Sequence, residues 1–331
     1  MIISYYLPPI TLSNLALSNL FPEKSEEDFL KNFGIKNRFI RQSHQIGSDL
    51  GYESAQLFFE EFDSVPKEKI DYLIFCTEGL DYKCPTSASV LHHRLGLKTE
   101  CACLDMPMGC AGYIYGLSLA KSLVLSGVAT HVLLIVADIP TSVIHSQDFD
   151  LRAIFSDAGA TTLISKKEAE CIGGFVFGSD GSGAKNLIVE HGSTRKPIDS
   201  EWIEKYKDEP EYLAHGRMTM NGLEIARFSL QRVPQLLEDV LAKNNLAFEE
   251  VDLFVFHQAS KFILNALKRK LKIPDEKFYE YIEEVGNTVS CTIPIALKNA
   301  EKEGVLKEGM KVVLLGFGVG YSWGGTVIRW S

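Results

Sequence analysis

A chain of 331 residues with 46% hydrophobic content buries a large core and corresponds to two domains or two fused halves, which excludes wholesale disorder. Its formal charge of −9 offers no field to attract nucleic acid or an anionic membrane surface, and seven cysteines without paired C-x-x-C spacing point to a reduced, cytoplasmic chain with no metal site. The amino-terminal stretch MIISYYLPPITLSNLALSNL has no basic residue ahead of its apolar run and is broken by Pro8 and Pro9, against a signal peptide, and runs such as Val132 to Val136 are far too short to span a bilayer.

In chain order, the apolar spacing predicts a helix near 48–62, a strand at Tyr72–Phe75, a helix near 86–95, a strand at Cys101–Leu104, a helix near 110–126 and a strand at Val132–Val136. The Gly-, Ser- and charge-rich stretch from Cys171 to Met220, with an excursion over residues 201–216, reads as a connection. Beyond it come a helix near 222–244, a strand at Leu253–Phe256, helices near 258–271 and 290–303, and strands at Val312–Leu315 and Thr326–Trp330. Such alternation predicts an α/β protein with mixed sheets and helices packed on them.

A faint internal repeat runs through these elements. DYLIFC, from Asp71, stands 39 residues before Cys110, and DLFVFH, from Asp252, stands 39 before Cys291; a second apolar strand follows each cysteine, VLLIV after 22 residues and VVLL after 21. Either one strand–helix–strand unit is present twice, or two ordinary βαβ units coincide.

Cys110 follows Met106-Pro107-Met108-Gly109 and opens a helix in which Lys121 is the one charged residue between Ala111 and Ser126, so the helix is expected to be buried. A cysteine at such a helix start meets unpaired N–H groups and the positive end of the dipole, which favours the thiolate of a nucleophile; the alternative is a space-filling thiol. His257 directly follows an apolar strand, at the sheet end where ligands meet open α/β folds, and either handles a proton near neutral pH or is a satisfied strand-end histidine. Asn287, after the turn residue Gly286, either caps the following helix or donates its amide to a developing oxyanion. The loop LLGFGVGYSWGG carries Gly316, Gly318, Gly320, Gly324 and Gly325, which permit close approach to a ligand and positive φ, or simply make a turn between two strands. No phosphate-cradling or dinucleotide fingerprint is present.

Six segments in order give these residues a common setting: GIKNRFI at 34–40, GCAGYIYGL from Gly109, FSDAGAT at 155–161, FHQAS from Phe256, GNTVSCTIP from Gly286 and GFGVGYSWG from Gly316. Together they resemble the thiolase-fold condensing enzymes, and above all β-ketoacyl-[acyl carrier protein] synthase III, along almost the whole chain. The resemblance implies a thiolase-like fold of duplicated βαβ-rich halves in a layered α-β-α-β-α architecture. Residues 1–175 would carry the nucleophile and residues 176–331 the His and Asn.

It further implies a Cys110–His257–Asn287 triad, with the backbone N–H groups of Cys110 and Val319 as oxyanion hole. Cys110 would take an acyl group from a thioester; His257 and Asn287 would bind the carbonyl of a malonyl-type acceptor and stabilise the enolate left after loss of CO2. No cofactor is called for, fatty acid biosynthesis is the setting, and a homodimer is expected. Its roomy tunnel would be lined by Cys84, Phe317 and Gly318, since relatives close it with a bulkier partner residue before a Pro-Ser or Pro-Thr pair, where Cys84 stands.

The chain departs from the family at several places. Ser260 replaces an Asn, and Phe262 stands where the family has a basic residue, next to Lys261. Asp28 and Asn32 stand where a Trp and an Arg would stack on the adenine of coenzyme A, with Phe29 or Phe33 as nearby substitutes. The Ser260 and Phe262 departures weigh against the family's carrier-protein docking, whereas Asp28 and Asn32 point to a donor on acyl carrier protein or another non-nucleotide handle rather than on free coenzyme A, landing on Arg41, Lys261, Lys268 and Arg269. Alternatives are, within the same fold, transfer to an alcohol or amine without decarboxylation; of another class, a non-catalytic acyl-binding partner subunit; and a metal-free cysteine hydrolase.

Overall fold

The computed structural model describes residues 1–207 and 216–331, so residues 208–215 of the expected excursion lie outside it. The chain runs β1 (Ile2–Tyr6), β2 (Ile10–Ser13), α1 (Asn14–Leu20), α2 (Glu26–Phe33), β3 (Asn37–Ile40), α3 (Gly47–Glu61), β4 (Tyr72–Cys76), α4 (Ser87–Leu95), β5 (Ala102–Met106), α5 (Gly112–Leu125), β6 (Val132–Asp138), α6 (Phe149–Ile154) and β7 (Ala158–Ile164). It continues α7 (Lys166–Cys171), β8 (Ile172–Ser179), β9 (Leu187–Val189), α8 (Ser200–Tyr206), β10 (Met218–Met220), α9 (Gly222–Lys243), β11 (Leu253–Phe256), α10 (Lys261–Leu271), α11 (Ile282–Val285), α12 (Thr292–Lys302), β12 (Lys311–Gly318) and β13 (Ser322–Arg329).

Two mixed sheets result. The first has the order β1-β7-β6-β4-β5 and the second β11-β12-β13-β8; β2–β3 and β9–β10 form small hairpin-like pairs. β4 pairs in parallel with β6 from Tyr72 opposite Val132 to Cys76 opposite Val136, and β11 pairs in parallel with β12 from Leu253 opposite Val312 to Phe256 opposite Leu315. The repeated strand–helix–strand unit is therefore real: α5 precedes β6 in one sheet as α12 precedes β12 in the other.

The two repeat helices lie between the sheets, and side chains from both helices and both sheets share one core. α3 and α4 cover the outer face of the first sheet, α9 and α10 that of the second, which makes five layers. A helix in the middle layer meets protein on every side, and nine consecutive residues of α12, Thr292 to Ala300, are buried. Pro294 is tolerated there because its missing N–H falls in the first turn, and the buried Lys298 ammonium is matched by Glu61. On α5, Gly116 lets the helix settle on β6, since an added Cβ would stand 2.6 Å from Leu134.

Several expectations are corrected. FSDAGAT, assigned no element from the sequence, leads from a bridge between Phe155 and Asn287 into Ala158–Ile164, a seven-residue buried strand between β1 and β6. Its small residues hide the strand signal for a packing reason, because a Cβ on Gly159 would lie 2.2 Å from the Leu50 carbonyl oxygen of α3. The stretch after Cys171 is likewise no mere connection; it opens with β8, an edge strand of the second sheet that straddles the 175/176 division. Glycine interrupts its apolar alternation at Gly178, where the Trp323 ring occupies the space of a side chain. Among the described residues, no helix is long and apolar enough to cross a membrane.

Candidate active site

The turn that carries Cys110 is closed by the Gly112 N–H donating to the Gly109 carbonyl at 2.7 Å, and α5 begins two residues after the cysteine. β12 presses on it from behind. A Cβ on Gly318 would stand 2.6 Å from the Cys110 sulfur, and one on Gly316 would stand 3.0 Å from Ala111. Four of the five glycines in this segment therefore lie in strands, where they admit neighbouring protein groups; only Gly320 has a positive φ, at 128°.

Cys110, His257 and Asn287 line one cavity of about 240 Å³ together with Phe317 and Gly318. The mouth of that cavity is apolar: Leu223 is 83% and Phe262 64% exposed. Cys84 is exposed on a separate loop and does not line it.

The resting sulfur is not the thiolate that a helix start suggests. Burial pushes the Cys110 thiol up to about 12 and the charge of Glu78 adds to this; the backbone N–H of Val319 works the other way, Asp138 raises it further, and the N–H of Cys110 itself again lowers it. The two backbone groups that lower it are the ones expected in the oxyanion hole.

His257 is held at its backbone by donation to the Leu315 carbonyl at 2.7 Å, and its Nδ1 lies 2.7 Å from Thr292 Oγ1. The Thr292 hydroxyl donates its one proton to the Val289 carbonyl at 3.1 Å, so it accepts from Nδ1–H and leaves Nε2 as the lone-pair nitrogen for the cavity. Burial holds the imidazole down at about 3, against an opposing contribution from the Val289 backbone, so the ring rests neutral rather than titrating near neutrality. Phe317 stands edge-on to it, with ring centroids 5.8 Å apart.

Asn287 does not cap α12, which starts five residues later. Its backbone is stitched to the first half of the chain: its N–H donates to Ile154 and its carbonyl accepts from Ser156, each at 2.9 Å. The side-chain oxygen accepts from Val289 N–H at 2.9 Å, and Nδ2 donates one proton to the Ala259 carbonyl at 3.0 Å. One amide proton is left for a ligand in the cavity. Gly286 is required beside it, with φ 71° and the Ile154 carbonyl 3.0 Å from where a Cβ would be.

Glu78 is a residue the sequence reading passes over. An added Cβ on Gly109 would lie 2.5 Å from Glu78 Oε1, which sets the carboxyl against the residue preceding the nucleophile candidate. It lines a second cavity of about 550 Å³ that includes Asp138, Met218 and Val289; the last two also pack around Cys110. Asp138 is engaged by Glu78 N–H at 2.9 Å and by Ser290 N–H at 3.1 Å. Enclosure, and then the neighbouring Asp138 charge, push the Glu78 carboxyl up. The signal that singles out His257, a polar residue just past an apolar strand, applies equally to Glu78 after β4. Above about pH 8, where the Glu78 carboxyl is ionised, Glu78→Gln removes a negative charge near the sulfur and is expected to lower the apparent pKa of Cys110 by on the order of one unit. Carboxymethylation rate against pH reads this directly, and an unmoved profile would show that Glu78 does not act on the sulfur.

The expected landing cations are mostly neutralised. Lys261 pairs with Glu280 at 3.2 Å and Glu283 at 3.4 Å, Lys268 with Asp275 at 2.8 Å, and Arg269 Nε donates to the Asn265 carbonyl. Asp28 closes the capping box of α2, accepting from Ser25 N–H at 2.9 Å, while Phe29 is buried and stacks with Phe33 rather than facing a ligand.

Family models describing 3-oxoacyl-[acyl-carrier-protein] synthase III match residues 104–181, and those for its C-terminal region match residues 241–330. The β-ketoacyl-[acyl-carrier-protein] synthase III of Caldanaerobacter subterraneus subsp. tengcongensis is 31% identical over 327 residues, covering 98% of this chain and 96% of the relative. That of Chlamydia caviae is 32% identical over 328 residues, covering 98% and 94%. A crystal structure of a 3-oxoacyl-(acyl-carrier-protein) synthase III superposes with a TM-score of 0.93 at 42% identity, covering 99% of this chain and 98% of the other. The Pseudomonas aeruginosa structure of the same description gives 0.86 at 26% identity, covering 99% and 96%.

Proposed function

This chain belongs to the β-ketoacyl-[acyl-carrier-protein] synthase III family, and on that premise we propose that Cys110 is its acyl-carrying nucleophile and that His257 and Asn287 serve the malonyl half of the reaction. The enzyme is an acyltransferase that joins an acyl thioester to a malonyl acceptor on acyl carrier protein by decarboxylative condensation. The observation that carries the assignment of residues is the convergence of all three side chains on one cavity, with the N–H groups of Cys110 and Val319 at the sulfur.

In the first half-reaction the sulfur attacks the thioester carbonyl. The thiol proton moves to His257 Nε2, the two N–H groups hold the developing oxyanion, and the departing thiolate takes the proton back. Loss of CO2 from the malonyl acceptor then leaves an enolate, whose oxygen receives the free Asn287 amide proton and a proton on Nε2. His257 offers the latter in its other neutral tautomer, reached when solvent protonates Nε2 and takes the proton from Nδ1, after which the Thr292 O–H turns from Val289 to donate a hydrogen bond to Nδ1. The enolate carbon attacks the acyl-cysteine, the C–S bond breaks, and the Cys110 thiolate is reprotonated.

The acyl donor arrives on a carrier protein, because Asp28 and Asn32 offer no stacking surface for an adenine. The enzyme works in the cytoplasm, where its free cysteines stay reduced, as a homodimer in which the exposed loop bearing Cys84 reaches the tunnel of a second copy. Mass spectrometry of the intact protein, offered the same acyl groups on coenzyme A and on carrier protein, tests these statements. An adduct on Cys110 that forms faster from the carrier and is converted to a β-ketoacyl product by malonyl-carrier protein is expected. Faster loading from coenzyme A overturns the donor assignment, and discharge to water or an alcohol without CO2 overturns the condensation.

A further inference from the structure

Three arginines from distant places in the chain line one cavity of about 360 Å³: Arg41 after β3, Arg152 in α6 and Arg217 ahead of β10, with His145 beside them. Each is anchored through Nη1 to backbone carbonyls. Arg41 donates to Ser43 at 2.7 Å and Gln45 at 2.6 Å, Arg152 to Ser146 at 3.0 Å, and Arg217 to Ser142 at 2.8 Å. Such anchoring fixes the direction of each guanidinium and leaves its remaining N–H groups available.

Among the described residues, no carboxylate lies within ion-pair distance of any of the three, whereas Arg94 and Arg227 pair with Asp49 and Glu224. The acid whose charge reaches Arg41 is Asp157, and its oxygens already accept from Thr141 N–H at 3.1 Å and Arg41 N–H at 2.8 Å. A chain of net charge −9 has acids to place beside its cations. Three guanidiniums around one concave space, none with a carboxylate partner among the described residues, call for an anion from outside, and planar arginine forks suit phosphate oxygens in particular. The cavity volume is that of a small-molecule site rather than of a bare ion, and Leu12, Ile40 and Ile144 supply apolar wall for an uncharged body.

We propose that this cavity binds an organic phosphate, a phosphate or diphosphate ester, at a subsite separate from the one where Cys110 reacts. The two cavities share no lining residue, and α6 stands between them: Leu151 and Phe155 pack around Cys110 while Arg152 faces the arginine cavity. The phosphate belongs either to the thioester's own carrier arm or to a free metabolite; the recognising chemistry is the same. The proposal rests on the arginines and not on the chemistry of Cys110.

Calorimetric titration of the whole protein with inorganic pyrophosphate and with ADP tests it. Saturable binding is expected, weakened at least tenfold by Arg152→Gln and by Arg217→Gln and less by Arg152→Lys, which keeps charge but loses the fork. Acylation of Cys110 by an N-acetylcysteamine thioester, which carries no phosphate, is expected to be unchanged in all three, so that failure of the triad assignment would be seen separately. Pyrophosphate that raises the KM for acyl-coenzyme A assigns the subsite to the carrier arm; pyrophosphate that binds without competing assigns it to a free metabolite. Absence of saturable binding to the unaltered protein, or equal binding by variants that retain their circular dichroism, overturns the proposal.

Discussion

Cys110→Ala is expected to abolish acyl-enzyme formation, with a loss of condensation on the order of 10³-fold or more, because deleting a nucleophile removes the covalent route altogether. The fold should survive. Alanine fits wherever the thiol does, and the Gly318 backbone behind it is relieved rather than crowded. Intact-mass analysis after exposure to acyl thioester is the measurement, and an acyl adduct of unchanged occupancy on another cysteine would displace Cys110 from its role. Competition from within the chain is limited: Cys76 and Cys291 are buried with thiols pushed far up, and Cys101 is pushed up to about 11, which leaves exposed Cys84 and half-buried Cys103 and Cys171 as the background to map. Since burial holds the Cys110 thiol near 12, its alkylation rate should climb across pH 6 to 9 without a plateau, the thiolate fraction rising about tenfold per unit.

His257→Ala and Asn287→Ala should divide the two half-reactions. Each removes one donor to the malonyl enolate, and the loss of one such donor commonly costs on the order of 10²-fold in rate. Condensation should fall by about that factor in either variant, while labelling of Cys110 falls less in Asn287→Ala, whose amide takes no part in proton removal from the thiol. Thr292→Val sharpens the test. Without the hydroxyl, no hydrogen-bond donor faces Nδ1 to support the tautomer that carries its proton on Nε2, so decarboxylation should suffer more than acylation. Wild-type condensation in the His257 and Asn287 variants would place the enolate elsewhere.

The architecture was readable wherever burial is strong and one-sided. β4, β6, β11 and β12 are unbroken apolar runs because both faces of a parallel pair are covered, and the repeat distance between Asp71 and Cys110 is matched in the second half because the same unit is built twice. β7 and β8 escaped because their glycines accommodate neighbours, the α3 backbone at Gly159 and an indole at Gly178. The convergence of Cys110, His257 and Asn287 was legible through motif resemblance and is seen in the cavity. Their protonation was not, because it depends on enclosure and on Thr292 and Glu78, residues brought near by folding rather than by spacing. The arginine cavity lay further out of reach, since its three cations come from segments with no common pattern.

The two glycines of β12 behind Cys110 have a stereochemical consequence. With a strand backbone in contact with the sulfur on one side, and the oxyanion held by the Cys110 and Val319 N–H groups as proposed, a bound thioester presents only one face of its carbonyl. The tetrahedral carbon is then formed with one handedness at every turnover, although that centre vanishes in the product. In this sense the missing side chain at Gly318 acts as a mould: any Cβ there would stand where the sulfur must be, and the chirality of a transient carbon is set by an atom the residue lacks.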